Sequence, residues 1–235
     1  RCAYRCFQEY VGVHGRPDIL HAHSVIWGGV AARHISKRTG IPYFLTEHFT
    51  GWILLEYRKR KRGYRDQLVK VVQDSEKTFA VSSFYRNALL KNYPLSQEKL
   101  TVVPNVVNPI FAEKQKKIML TGRPMLSVIG YLKERKNHLT ILRAVALLKK
   151  KGQKVDLLVI GDGPLRSNLE AFVIEQRLID QVQFLGMQDR EGVVEALQKS
   201  HLLVSASTFE TFGVNLIEAL AMGRPVVALD SGGPR

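Results

Sequence analysis

The 235-residue sequence is 45% hydrophobic and 24% charged, which is the usage of a globular protein. It contains no run of about 18 apolar residues and therefore offers no candidate transmembrane helix. Its formal net charge of +14 implies an anionic partner and leaves phosphorylated small molecules, nucleic acid and an anionic membrane surface open.

The first residues belong to a predicted helix. They lack the apolar stretch of a signal peptide, and the chain does not begin with Met. Cys2 and Cys6 are neighbours on one helix, which suits a disulfide poorly, and no His or Cys partner follows at zinc spacing. We therefore expect two free thiols in a reducing cytoplasm.

Short β-rich runs alternate with amphipathic stretches along the chain. The predicted strands are 18–22, 42–46, 78–82, 100–103, 125–130, 155–161, 182–186, 202–205 and 225–229. The predicted helices of the second half are 139–151, 165–177, 190–199 and 214–222. Most of the strands are nearly continuous apolar runs, which is typical of parallel strands covered on both faces. The alternation with short loops indicates doubly wound α/β sheets.

A stretch rich in proline and polar residues, between Pro104 and Pro124, interrupts the alternation. Its composition suits an interdomain connection better than a packed element. We therefore predict two α/β domains, 1–117 and 118–235. Ligands of such sheets bind beyond the carboxyl ends of the strands, so two domains facing each other would form a binding cleft.

The segment from Ser207 to Glu218 occupies a predicted strand-to-helix loop and the start of the helix. Gly213 allows close approach of the backbone to a ligand, and the helix beginning near Val214 offers unpaired N–H groups to a phosphate. The carboxylates of Glu210 and Glu218 suit the hydroxyl groups of a sugar. Spacing alone equally allows Glu210 to be a surface or capping residue and Glu218 a solvated helix residue.

This segment resembles the signature of the retaining GT-B glycosyltransferases, the large group often called family four. The agreeing positions are Gly186, Ser207, Glu210, Phe212, Gly213, Glu218, Ala219, Gly223, Pro225, Val226, Gly232, Gly233 and Pro234. The resemblance implies that Glu218 binds the nucleotide ribose and that Glu210 lies near the donor sugar. It also implies that the loop amides at Phe212, Gly213 and Val214 contact phosphate and sugar.

Gly130 follows an apolar strand, and Lys136 comes six residues later. An exposed loop lysine is an alternative interpretation of this spacing. The stretch is similar to the family's Gly-Arg-Leu…Lys motif, whose two cations clamp the diphosphate, which implies this role for Lys136 beside Gly130. Tyr131 stands where Arg is usual and leaves the clamp one cation short, with Arg135 and Lys133 as candidates to compensate.

Gly161 and Gly163 also follow a predicted strand. They fit only part of a dinucleotide-binding Gly-x-Gly-x-x-Gly fingerprint, because Arg166 fills the last position, and a lone Gly-x-Gly is more often a tight turn. The stretch resembles the family's Gly-x-Gly-Pro turn, which implies a place beside the donor pocket.

His21 and His23 alternate to one face at the end of the first predicted strand. A metal pair would need a third ligand, which is not evident, and satisfied core histidines are the alternative. The family resemblance favours His23, since a His here points from the N-terminal domain towards the donor sugar. We expect His23 and Glu210 to be the catalytic residues that orient this sugar.

Glu47 and His48 end the second predicted strand and resemble a Thr-Glu-His-Phe stretch of some polysaccharide-assembling relatives. They are candidates for the acceptor side of the site. A loop with a buried aromatic anchor is the alternative interpretation.

The most basic run of the chain is Arg58–Arg65. It suits a nucleic acid, an anionic lipid surface, or plain solvation as a basic loop. We favour an anionic membrane surface because relatives act on lipid-linked acceptors. No nucleic acid is expected, because no recognition fold surrounds the run.

The resemblance implies a GT-B architecture, with two Rossmann-like domains whose parallel sheets face across a cleft. It implies retaining transfer from a nucleotide-diphosphate sugar to a sugar or lipid-linked acceptor, in polysaccharide or glycolipid assembly, by a cytoplasmic protein at the inner face of the membrane. The nucleotide sugar is a substrate, and no cofactor or metal is expected. The alternatives are a nucleotide-sugar 2-epimerase, a phosphorylase and a basic nucleic-acid-binding module. We expect the chain to be incomplete at both ends and to turn over little by itself.

Overall fold

The computed structural model of the chain describes residues 2–54, 63–115 and 122–233. The chain divides between Asn105 and Val106 into two compact units. The expected boundary between 117 and 118 lies outside the described residues. The observed division comes earlier because Phe111 is buried in the core of the second unit, among Leu216 and Met222.

The first unit is a four-stranded parallel sheet in the order β1-β2-β3-β4. Its strands are β1 (Leu20–His23), β2 (Tyr43–Glu47), β3 (Lys77–Ala80) and β4 (Leu100–Val102). Its helices are α1 (Cys2–His14), α2 (Val30–Thr39), α3 (Gly63–Asp74) and α4 (Ser83–Asn92). A wide-turned π-helical segment, Ser24–Gly29, joins β1 to α2. Chain order equals sheet order, so the carboxyl ends of β1 and β2 are neighbours.

The second unit is a five-stranded parallel sheet in the order β7-β6-β5-β8-β9. Its strands are β5 (Met125–Ile129), β6 (Asp156–Ile160), β7 (Val182–Gly186), β8 (Leu202–Ser205) and β9 (Val226–Ala228). Its helices are α5 (Pro109–Glu113), α6 (His138–Lys150), α7 (Arg166–Glu175), α8 (Arg190–Lys199) and α9 (Val214–Ala221). No described helix is long and apolar enough to cross a membrane.

The apolar patterns explain these elements. The stripe expected on α6 is buried at Ile141, Leu142 and Val145, and these side chains join Val128 and Leu157 of the sheet in one core. Burying an aliphatic side chain of this size contributes roughly 1.5–3 kcal/mol. Every strand and helix whose bounds were predicted is present, with ends displaced by two residues or fewer.

The strand order of the second unit reverses between β5 and β8. From β5 the chain first builds outwards to β6 and β7, then returns to the other side of β5 to add β8 and β9. In open parallel sheets, ligands bind beyond the carboxyl ends of the strands at such a reversal. We therefore expect a ligand site at the loops that follow β5 and β8.

Candidate functional site

Loops from three strands of the second unit meet at the carboxyl edge of its sheet. They span 130–137 after β5, 161–165 after β6 and 206–213 after β8. Thr208 joins the first loop to the third, because its backbone N–H and its hydroxyl donate to the carbonyl oxygen of Arg135 at 2.9 and 3.2 Å. These hydrogen bonds thus join the loop after β5 to the loop after β8, so that the two loops form one continuous surface.

An ion pair lies on this surface. The ammonium group of Lys136 is 2.5 Å from a carboxylate oxygen of Glu210, and these side chains are only 17% and 10% exposed. The backbone of Glu210 is fixed as well, because its N–H donates to Ser231 and its carbonyl oxygen accepts from Gly233, both at 3.0 Å. The structure thus brings together two residues that were each predicted to bind the donor.

Gly130, Gly161 and Gly163, which were predicted to border the donor site, determine how the β5 and β6 loops pack. A Cβ atom on Gly161 would lie 2.1 Å from the carbonyl oxygen of Gly130, and one on Gly163 would lie 2.6 Å from that of Leu132. Gly161 and Gly163 also have φ angles of 136° and 156°. Only glycine permits this approach, and the β6 loop therefore packs directly against the backbone of the β5 loop. The methylene groups of Lys136 pack over Gly130, so these glycines set the position of the lysine.

The third loop ends where α9 begins. Gly213 adopts the left-handed conformation, with φ 87° and ψ 57°, and the helix starts at Val214. The side chain of Asn215 donates to the carbonyl oxygen of Ile129 at 3.0 Å, which ties this helix end to the end of β5. The first N–H groups of a helix carry partial positive charge, so an anion is favoured at this place. Phe212 is half-buried and Val214 is exposed beside it.

Glu218 lies in the middle of α9 and is half-buried. Loss of solvent raises the pKa of its carboxyl, and the positive charge of Arg190 opposes this rise. The side chain of Glu218 is therefore neither fully solvated nor fully buried.

His138 opens α6 two residues after Lys136 and was not singled out from the sequence. It is only 3% exposed, and within the described part of the chain neither ring nitrogen has a hydrogen-bond partner. Burial, with the charge of Lys136 close by, lowers its pKa from 6.5 to about 4. Its imidazole is therefore neutral at physiological pH.

Three imidazoles gather at the carboxyl ends of β1 and β2 in the first unit. The Nδ1 atom of His23 is 3.1 Å from Nε2 of His48, and their rings stack at 5.4 Å. His21 lies 4.7 Å from the ring of His23 and is hydrogen-bonded to the Thr46 hydroxyl at 2.8 Å. All three are exposed, which does not match core histidines. The described residues contain no group of three side chains suited to a metal ion.

Partial loss of solvent and the neighbouring imidazoles lower the pKa of His48. Partial loss of solvent, together with His23, lowers the pKa of His21. A second positive charge in this cluster is therefore unfavourable. The His23–His48 hydrogen bond requires that one of the two nitrogens donate and the other accept.

Glu47 is enclosed, with 1% of its surface exposed. Its carboxylate accepts hydrogen bonds from the backbone N–H groups of Val25 at 2.7 Å, His48 at 2.9 Å and Phe49 at 2.7 Å. Burial raises its pKa in spite of these donors. The carboxylate thus connects the loops after β1 and β2, while His48 beside it reaches the surface. Trp52 is the buried aromatic anchor that the alternative interpretation of this loop required.

Most of the basic run Arg58–Arg65 lies outside the described residues. Its last member, Arg65, donates to the carbonyl oxygen of Asn92 at 3.0 Å and lies over the ring of Tyr93. Cys2 and Cys6 are free and exposed.

Comparison with known families divides the chain much as the structure does. Residues 110–235, more than half of the chain, match the family described as glycosyl transferases group 1. Residues 2–111 match the family described as glycosyltransferase family 4.

The chain is similar to two curated enzymes over most of its length. It is 25% identical to the 2-deoxystreptamine glucosyltransferase of Streptomyces kanamyceticus, covering 91% of this chain and 59% of that protein. It is 26% identical to the alpha-monoglucosyldiacylglycerol synthase of Streptococcus pneumoniae, covering 97% of this chain and 56% of that protein. The chain thus spans less than two thirds of these relatives.

Among solved structures, Anabaena HepE in complex with UDP and glucose matches with a TM-score of 0.78 at 18% identity, covering 98% of this chain and 63% of that one. This match confirms the predicted fold of two Rossmann-like α/β halves with parallel sheets, as in GT-B glycosyltransferases.

Proposed function

We propose, on the premise that this chain belongs to the glycosyl transferases group 1 family, that the whole protein transfers a sugar from a nucleotide-diphosphate donor to an acceptor hydroxyl. We propose further that the anomeric configuration is retained. Support comes from the similar fold of HepE, which was solved with UDP and glucose, and from the glucosyltransferase that the sequence resembles.

The main structural support for this proposal is the Lys136–Glu210 ion pair. It lies in the loops where the strand order reverses, and Glu210 shortly precedes α9 in the chain. A diphosphate bound there would compete with Glu210 for the ammonium group. Lys136 and the amides of Gly213 and Val214 would then stabilise the charge that develops on the departing diphosphate. Released from the lysine, the carboxylate of Glu210 would accept hydrogen bonds from the donor sugar.

Glu218 is the proposed ribose ligand. A half-buried carboxylate suits two neighbouring hydroxyl groups, since a charge-assisted hydrogen bond is worth roughly 1.5–3 kcal/mol. Arg190 favours its ionised form at neutral pH by opposing the effect of burial on its pKa.

His23 is the proposed partner of the donor sugar in the first unit. Its Nδ1 atom is hydrogen-bonded to His48, and Nε2 is the ring nitrogen that a sugar hydroxyl would meet. The bond with His48 fixes the orientation of the ring, as the second partner of a functional histidine commonly does.

The proposed acceptor is a saccharide or a lipid-linked sugar, in polysaccharide or glycolipid assembly. The similarity to a synthase of a glucosyl lipid supports this choice. Basic residues near a membrane surface contribute about 1 kcal/mol each, so Arg58–Arg65 would hold the protein peripherally on anionic lipid at the inner face.

The test uses the full-length protein with a panel of nucleotide sugars and simple acceptors, and it follows the product anomer by NMR. Transfer with retention is the expected result. Inversion of the donor sugar at C2 without an acceptor would identify an epimerase, and dependence on inorganic phosphate would identify a phosphorylase; either result overturns the proposed transfer. An inverted product overturns retention alone.

A further inference from the structure

The carboxylate of Glu47 holds the backbone next to each of two stacked imidazoles, those of His23 and His48. One oxygen accepts from the N–H of Val25 at 2.7 Å, and the other accepts from the N–H groups of His48 at 2.9 Å and Phe49 at 2.7 Å. Val25 follows His23 by two positions, so a single side chain fixes the chain just after β1 and just after β2. With 1% of its surface exposed, Glu47 is not placed to contact a ligand directly.

The turn that follows His23 needs such a hold. Ser24 has a φ angle of 67°, in a region that non-glycine residues rarely adopt. Conformations of this kind persist only when the surrounding structure imposes them. The sheet register pairs His23 with Thr46, so this turn begins beside Glu47, and the bond from Val25 to Glu47 crosses from one loop to the other. The direction in which the chain leaves His23 therefore depends on the carboxylate.

The imidazole pair tolerates little movement of either loop. The Nδ1 atom of His23 is 3.1 Å from Nε2 of His48, and the rings stack with an angle of 11° between their planes. A separation larger by about 0.5 Å would no longer be a hydrogen bond. Both side chains are exposed, so packing around the rings does not fix them. Their geometry is instead determined by the backbones from which they project.

The chemistry of Glu47 suits this task. A buried carboxylate is costly, and loss of solvent raises the pKa of Glu47 although the three backbone N–H groups oppose the rise. An ionised carboxylate accepts hydrogen bonds at both oxygens, whereas an amide side chain accepts at only one. Joining backbone N–H groups of two different loops therefore requires the acid.

We propose that Glu47 is a positioning residue that sets the geometry of the His23–His48 pair by joining the loops after β1 and β2, and that it does not itself contact the acceptor. The use of this pair in sugar transfer rests on the proposed function. The positioning of the pair by Glu47 does not.

Two substitutions separate bridging from charge. Glu47→Gln has one acceptor oxygen, so serving His48 and Phe49 turns its NH₂ group against the N–H of Val25, and the link between the loops is lost. Glu47→Asp keeps the charge and can still serve the N–H groups of its own loop, but it is one methylene group too short to reach Val25. Bridging predicts that both variants fail, whereas a role of the charge alone predicts that Glu47→Asp behaves like the parent.

NMR of the full-length protein with ¹⁵N-labelled histidine measures the geometry without turnover. In the parent, we expect a slowly exchanging ring N–H proton shared between His23 and His48, assigned by its loss in His23→Gln and in His48→Gln. Both variants of Glu47 should lose this signal. Its persistence in both variants, or in Glu47→Asp alone, overturns the proposal.

Kinetics of the same proteins provide the second measurement. Misplacing His23 should lower kcat by about 10- to 100-fold in both variants and leave the KM for the donor nearly unchanged. Ser75→Ala is the matched control. It removes a buried hydroxyl that is hydrogen-bonded to Val72 and Thr78 at 2.7 and 3.1 Å, at the opposite edge of the same sheet, and it should change neither the NMR signal nor kcat. If the signal is lost while kcat is unchanged, Glu47 still positions the pair, and the proposed role of His23 in transfer fails instead.

Discussion

The ammonium group of Lys136 lies 2.5 Å from the carboxylate of Glu210, although 74 positions separate the two residues in the chain. The contact forms because β5 and β8 are neighbours in the sheet and their loops leave it at the same edge. Each group neutralises the other in a largely buried place. When a phosphate-bearing ligand binds, Lys136 would exchange the carboxylate of Glu210 for a phosphate group, so the ligand would not meet an unpaired charge.

Lys136→Met in the full-length protein should lower kcat/KM by about 100-fold or more, because one preformed group for the leaving diphosphate is lost. It should also lower the free energy of unfolding by about 3 kcal/mol, since Glu210 is left as an uncompensated, largely buried charge. Steady-state kinetics and urea unfolding measure the two effects.

The double variant Lys136→Met with Glu210→Gln separates these effects. It removes both charges, so most of the lost stability should return while the activity stays low. Recovery of activity together with stability would contradict a direct role for Lys136 in donor handling.

Glu218→Ala should weaken UDP binding and raise the KM for the donor by about 10- to 100-fold, which corresponds to a charge-assisted hydrogen bond of roughly 1.5–3 kcal/mol. The value of kcat should change less, because a ribose contact is made in both the ground state and the transition state. Isothermal titration with UDP is the measurement. Glu195→Ala, an exposed change on α8, is the control, and equal UDP affinity in the two variants would refute the ribose assignment.

The elements of the second unit follow closely from the sequence because local patterns determine them. The expected bounds 182–186, 190–199 and 202–205 coincide with β7, α8 and β8. Lys136 and Glu210 were also singled out as donor-binding candidates, each from its place after a strand and from the family resemblance. Their contact was not, since it depends on the order in which strands add to the sheet.

The first unit shows where local patterns fail. The sequence gives no sign of the π-helical segment after β1, because serine has no strong preference for the conformation that Ser24 adopts. That shape depends on a hydrogen bond from Val25 to Glu47, a residue 22 positions away. Glu47 was assigned to the acceptor side from its place at the end of a strand and from the family resemblance. Neither of these predicts that three backbone N–H groups donate to its carboxylate.

Gly161→Ala should disrupt the junction of the β5 and β6 loops. The new Cβ would lie 2.1 Å from the carbonyl oxygen of Gly130, at a φ of 136° that side chains rarely adopt. We expect a loss of more than about 2 kcal/mol in the free energy of unfolding, together with weaker UDP binding. Gly152→Ala is the matched control: it has a positive φ of 76° but nothing within 4 Å of its Cβ, so it should cost about 1 kcal/mol and leave UDP binding unchanged. Equal effects in both variants would show that conformation, rather than loop contact, is responsible.

His138 should make the stability of the protein depend on pH. In the folded chain its pKa is about 4, and its ordinary value is 6.5. Between these values the unfolded chain binds a proton that the folded chain does not, so the free energy of unfolding rises with pH through this window. Acidification through this window lowers the free energy of unfolding by at most about 3 kcal/mol. Above the ordinary histidine pKa none of this stability is lost.

His138→Leu removes the titrating group and keeps the position apolar. Urea unfolding at pH values just above 4 and just above 6.5 should show a smaller pH dependence for this variant than for the parent chain. His14→Gln removes an exposed histidine from α1 and should keep the parent's dependence. If His138→Leu retains the full slope, the imidazole is either solvated or partnered in the folded chain, and another group near the loops is responsible for the loss of stability in acid.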